Sequence, residues 1–182
     1  MDALHIKVVG LRPMTKGSVT AFAIPNKDPS KKPRAVVVHG DRGEARQRLR
    51  SWDAEVKAAA RAELERRGIA SPFVERGRGV SIQIVFRIAR PAGHFSKATG
   101  LLLASAPADP SVKPDRDKLE RAILDALTGL AFFDDAQVVA GPTVKRYVEK
   151  TTDEGVTIIV QPRPRTVAEA RQMEIQTGGT AQ

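Results

Sequence analysis

The chain has no cysteine in its 182 residues. That excludes disulfides, thiolate zinc sites and cysteine nucleophiles together. Its three histidines, His5, His39 and His94, are scattered and form no His-x-x-x-His pair, which argues against a zinc hydrolase. No apolar run approaches the roughly 20 residues needed to span a bilayer. The first residues lack a signal-peptide pattern, so the expectation is a cytoplasmic protein. No Gly-x-x-x-x-Gly-Lys-Ser/Thr run is present, which disfavours a P-loop NTPase and a nucleotide cofactor. No internal repeat is visible. What remains is an ordinary globular composition, 41% hydrophobic and 28% charged, most simply one domain.

The charge is positive and uneven. The net charge is +9, and residues 12 to 50 hold ten basic side chains against three acidic ones. A lone charge run is usually a solvated face. Here it coexists with an acidic cluster elsewhere, and that combination favours a surface for a polyanion. The cluster straddles one short segment: Asp115 and Asp117 precede a periodic stretch, and Asp134 and Asp135 follow it. Gathered carboxylates repel and raise one another's pKa unless something positive is held between them. A divalent ion such as Mg²⁺ fits that need, and on a basic protein its natural substrate is a phosphodiester.

Coarse periodicity gives an order β-ββ-α-β-α-ββ. Residues 4–9 alternate as a strand; 18–24 and 35–39 form a hairpin with a long lysine-rich tip. Residues 43–67 read as a helix with Leu49, Trp52, Val56, Ala59, Ala60 and Leu64 inward and Gly68 as its stop. Residues 80–88 alternate strongly. A long Pro- and Gly-containing loop runs from 89 to 113. Residues 138–148 and 156–160 read as a closing hairpin turning at Asp153-Glu154-Gly155. The tail from Pro162 is polar, with either a short helix from Thr166 or disorder fitting its composition. The expected fold is α+β: a single mixed sheet packed against two helices.

The central segment carries the chemistry. Pro114 disfavours helix at Lys113, so the chain arrives extended, and Asp115 and Asp117 would then share a face. Asp117 fits a helix N-cap with Glu120 at the capping-box position. Leu119, Ala122, Ile123, Ala126, Leu127 and Leu130 form a buried stripe. Taken singly, Asp117 is explained as a cap and Asp134-Asp135 as an acidic turn; Asp115 is not explained. Arg121, one turn beyond Asp117, either faces the same site or is an exposed cation paired with Glu120 or Asp125. Asp125 reads as a solvated or supporting group. The helix rises about 18 Å, and six extended residues from Gly129 to Asp135 span roughly 20 Å. Asp135 therefore reaches the helix start only if the chain runs straight back. Otherwise it serves a site built across a dimer.

The stretch Lys113-Pro114-Asp115-Arg116-Asp117-Lys118-Leu119, Leu124-Asp125-Ala126-Leu127-Thr128-Gly129, Phe133-Asp134-Asp135-Ala136-Gln137-Val138-Val139 and Lys145 resembles the RusA family of Holliday-junction resolvases, often phage- or prophage-borne. The resemblance is specific over residues 113–146. It extends weakly to Lys16-Gly17 and to the strand end at Phe86 to Pro91, followed by His94. It implies a nuclease domain over 1–161, a polar tail over 162–182, and a homodimeric, Mg²⁺-dependent endonuclease that nicks four-way DNA junctions in symmetric pairs. Mn²⁺ is a plausible substitute ion, with one or two ions per site. The family's metal-binding acids fall on Asp115, Asp117 and Asp135. Two positions depart from the family: Lys118 stands where Asn is frequent, and Arg121 where a lysine is used. Arginine keeps the charge but cannot shed a proton, so a charge-stabilising role survives and a proton-shuttling role does not. Lys16, Lys27, Lys31, Lys32, Arg34 and Lys118 are the expected grip on DNA, with little sequence readout. The rival readings are a non-catalytic DNA-binding module and a Mg²⁺ nuclease of flaps or single strands.

Overall fold

The structure is a computed structural model that describes residues 2–16, 19–26, 28, 31–32, 34–39 and 43–178. Its elements are β1 (Leu4–Val9), β2 (Val19–Ile24), β3 (Arg34–His39), α1 (Glu44–Arg66), β4 (Val80–Ala89), α2 (Arg116–Leu127), β5 (Val138–Ala140), β6 (Thr143–Val148), β7 (Gly155–Pro162) and α3 (Val167–Gly178). Among the described residues no helix is long and apolar enough to cross a membrane.

Five strands form one mixed sheet in the order β1-β7-β4, with β5 and β6 sharing the far edge of β4. Strand β4 is central because its alternation is strict: Val80, Ile82, Ile84, Phe86 and Ile88 are all buried on one side. Helices α1 and α2 cover that side. Trp52, Val56, Ala60 and Leu64 recur every fourth residue of α1 and are buried. Leu119, Ala122, Ile123, Ala126 and Leu127 form the corresponding stripe on α2. Each large side chain so enclosed contributes about 1.5–3 kcal/mol. The segments that leave α1 and α2 are tied together: the Phe73 and Val74 amides donate to the Leu130 and Ala131 carbonyls at 2.9 and 2.8 Å. The fold is thus α+β with a mixed sheet, as expected.

Three expectations about elements change. Strands β2 and β3 pair as predicted, but they form a separate two-stranded ribbon. The predicted strand 138–148 breaks at Gly141-Pro142, and both halves run parallel to β4. No closing hairpin follows it. Instead β7 crosses the end of β4 and pairs antiparallel with β4 and β1. Adjacent strands pair with each other by default. Here the 3-10 turn Thr151–Asp153 carries the chain past β4, so β6 and β7 flank it on opposite sides. The break itself has a cause: a Cβ on Gly141, whose φ is +123°, would lie 1.7 Å from the Ile82 carbonyl oxygen. The tail beyond β7 holds α3. Thr166 Oγ1 accepts the Glu169 amide at 3.1 Å, and the Glu169 carboxylate accepts the Arg165 amide at 2.6 Å.

Candidate functional site

Helix α2 begins at Arg116, two residues earlier than an N-cap at Asp117 would place it, and Asp115 rather than Asp117 occupies the N-cap. Asp115 makes no side-chain cap hydrogen bond. Its carboxylate instead accepts from the Lys118 ammonium at 2.9 Å. The two acids therefore straddle the helix start. Asp115 is extended and Asp117 is helical, so the two do not share a strand face as residues i and i+2 of an extended segment would. Asp117 lies in the first turn and is exposed.

Lys118 sits electrostatically between them. Its hydrogen bond is the largest influence holding Asp115 below the usual carboxylate range, followed by its charge and by those of Lys113 and Lys145. Reciprocally, Asp115 first, and Asp117 more weakly, push the Lys118 ammonium above its ordinary range. Asp115 is therefore not an uncompensated acid. The Lys118 ammonium compensates its charge.

A cleft of about 770 Å³ opens beside Asp115. The loop after β1, the first turns of α1 and residues 113–118 wall it; among the described residues Arg12, Arg48, Lys113 and Lys118 are its cations and Asp115 its one acid. Lys145, on β6 opposite Phe86, fastens the approach to the helix: its ammonium donates to the carbonyls of Val112 and Pro114, each at 2.9 Å. Arg12, Lys113 and Lys145 were missed as site residues from sequence. Arg12 and Lys145 converge only through the docking of distant elements, and the sole sequence signal was Lys145 at the end of the family-like stretch.

The remaining candidates are placed as follows. Lys16 forms an ion pair with Asp125, and its amide reaches the Lys118 carbonyl at 3.4 Å, so Asp125 anchors the loop after β1 to α2. Arg121 is exposed between the columns of Asp117 and Asp125 and joins no ion pair among the described residues. Lys31 and Lys32 are exposed, Lys31 lying 3.9 Å from Asp28. Lys27 and the Arg34 side chain lie outside the described residues.

Asp134 and Asp135 belong to a different corner. Asp134 caps the 3-10 turn Asp135–Gln137 in a capping box with Gln137. The Ala136 amide, then the Asp135 side chain, hold Asp134 below the ordinary carboxylate range. The Gln137 amide group rivets this turn to the start of β4, donating to the Glu75 and Arg78 carbonyls at 2.9 Å each. Val138 pairs with Val80, whereas Lys145, beside the Asp115 end, pairs with Phe86. Six residues of strand separate those positions, about 20 Å at 3.3 Å per residue. Within one protomer Asp115 and Asp135 thus stand at opposite ends of α2. Consistently, no group of three or more acids or histidines among the described residues is placed to hold a metal ion. The chain does not run straight back after Gly129; it turns along Phe73-Val74 first.

A protein-family model, Endodeoxyribonuclease RusA, matches residues 26–161. The matched span includes α1, β4, α2 and β5 to β7, and leaves out β1 and the loop that carries Arg12 and Lys16. No curated protein matches the chain.

Proposed function

The chain belongs to the RusA family of endodeoxyribonucleases, and from that premise we propose that it is a divalent-metal-dependent enzyme that resolves four-way DNA junctions by paired nicks, acting as a homodimer. The observation that carries the reading is the head of α2: Asp115 and Asp117 at a helix start, set against a cleft with four cations. A cationic cleft collects phosphodiester backbone, and Asp115, which lines it, together with Asp117 in the first helical turn, serves a divalent ion rather than the phosphate, which carboxylates repel.

One protomer supplies two acids at that point. The third, Asp135, is exposed at the far end of α2. We assign it to a second protomer's cleft, so that each site combines Asp115 and Asp117 with Asp135 of the partner subunit. A junction is nearly twofold symmetric, and a C2 dimer gives it two such sites. The ion, Mg²⁺ in this reading, supplies charge neutralisation on the phosphate and activation of water.

The chain's own residues do the rest. Arg12, Lys113 and Lys118 draw the phosphate into the cleft and orient it. Arg121, permanently charged, offsets charge that develops on the phosphate. Lys145 holds the Val112–Pro114 backbone, and with it the position of Asp115. Lys118 has a double part. It neutralises Asp115, and its charge would be exchanged for that of an ion held by Asp115 and Asp117.

Labelled four-way and linear duplex DNA, with and without Mg²⁺, test this directly. The expected result is symmetric paired nicks in the junction alone, lost in Asp115→Asn and Asp117→Asn while junction binding persists or tightens. Equal cutting of linear, flap or single-stranded DNA overturns junction specificity, and full turnover by either variant overturns the assignment of the acids.

A further inference from the structure

A second cleft, of about 420 Å³, lies on the other flank of the α2 start. Asp115 faces the first cleft, and the next residue, Arg116, lines this one. The segment Val112–Pro114 is the wall between them, fixed by the two hydrogen bonds from Lys145. Ser111, Arg116, Thr143, Lys145 and Arg146 line the second cleft, with Asp109 as its single acid among the described residues. Arg116 and Arg146 are exposed and join no ion pair among the described residues. Lys145 carries three N–H donors and spends two on the wall. Thr143 is only 8% exposed, and its Oγ1 has no hydrogen-bond partner. A buried hydroxyl left unpaired is unfavourable unless a ligand, an ion or an ordered water completes it.

Two free guanidinium groups, one spare ammonium proton and an orphaned hydroxyl beside a helix N-terminus make a donor-rich recess with little to accept from. We propose that this cleft is a second phosphate subsite, which takes a DNA backbone phosphate other than the one cleaved. The inference rests on the nuclease reading above and deepens it. One rigid wall then positions two phosphates, one on each side of residues 112–114. That fixes the approach of the strand to Asp115 without reading any base.

The test measures junction binding by the full-length protein against salt, in EDTA, so that it stands whether or not cleavage occurs. Arg116→Gln with Arg146→Gln should lower the salt slope by about two charges, each worth roughly 0.9 in the slope. Thr143→Val keeps the side-chain shape and the strand propensity and removes only the hydroxyl. It should weaken binding about threefold or more with the salt slope unchanged, as a lost neutral donor does. An unchanged slope in the double arginine variant overturns the proposal. A lower slope with wild-type affinity in Thr143→Val also overturns it, because a diffuse basic surface would behave that way. Failure of the nuclease reading shows separately, as absence of metal-dependent nicking.

Discussion

Gly141→Ala is the sharpest test of the sheet edge that positions the α2 start. The added Cβ would meet the Ile82 carbonyl oxygen at 1.7 Å, and contacts under 3.0 Å are essentially never seen. The edge strand must therefore move away from β4 by more than an ångström. The Ile84 amide bond to the Pro142 carbonyl, 3.0 Å long, breaks, and the short β5 ladder beside it is strained. One or two lost backbone bonds cost about 1 kcal/mol each. A Cβ at φ +123° adds roughly 1–3 kcal/mol of backbone strain. The sum is about 2–5 kcal/mol, its upper part in the uncommon range for a point change. Gly77→Ala is the matched control. It also has positive φ, +77°, but nothing lies within 4 Å of its Cβ. Its cost is the backbone part alone, about 1–2 kcal/mol. Denaturant unfolding of both variants, at equal m, should place Gly141→Ala about 1–2 kcal/mol or more below Gly77→Ala. Coincident midpoints would refute the close approach of Gly141 to β4.

Other outcomes follow from the site and the core. Lys118→Asn should return the Asp115 carboxyl upward toward its ordinary range, followed by carboxyl-carbon NMR. Because the fold depresses that pKa, the stability the Lys118 pair gives is present at neutral pH and is lost as pH falls through the depressed value, so the variant should be less stable than wild type at pH 7 and converge with it in acid; a difference confined to acid would contradict it. Lys145→Met releases the Val112 and Pro114 carbonyls, so turnover should fall far more than the melting temperature; equal losses would make Lys145 merely structural. Lys31→Gln with Lys32→Gln should flatten the salt slope of DNA binding by about two. Leu119→Ala empties a fully buried position and should cost about 2–5 kcal/mol in unfolding.

Much of the fold was legible because burial imposes periods that the residues obey. The stripes of α1 and α2 and the alternation of β4 matched the buried positions nearly residue for residue. Leu49, Ala59 and Leu130 are the exceptions: each packs only partly against the core, Leu130 because the helix ends at Leu127. Strand partners were less legible. Alternation says which side of a strand is buried and nothing about its neighbour, so β6 and β7 were paired by proximity in sequence when both in fact pair with β4. The acids of the site were named from their spacing and family likeness. Their arrangement was not legible, because it depends on where the chain turns after Gly129 and on Lys118 folding back to Asp115. Cations from distant segments, Arg12 and Lys145, carry no local mark of their shared location.

Subunit mixing tests the composite site most directly. Asp115→Asn and Asp135→Asn homodimers should each be inactive on a four-way junction with Mg²⁺. After verified subunit exchange, each heterodimer regains one intact pairing of Asp115 and Asp117 with Asp135 of the partner subunit, so about a quarter of the sites become active. The account predicts that nicking of single strands returns in the mixture. A mixture as inactive as its parents would contradict it, because the three acids would then have to act within one chain.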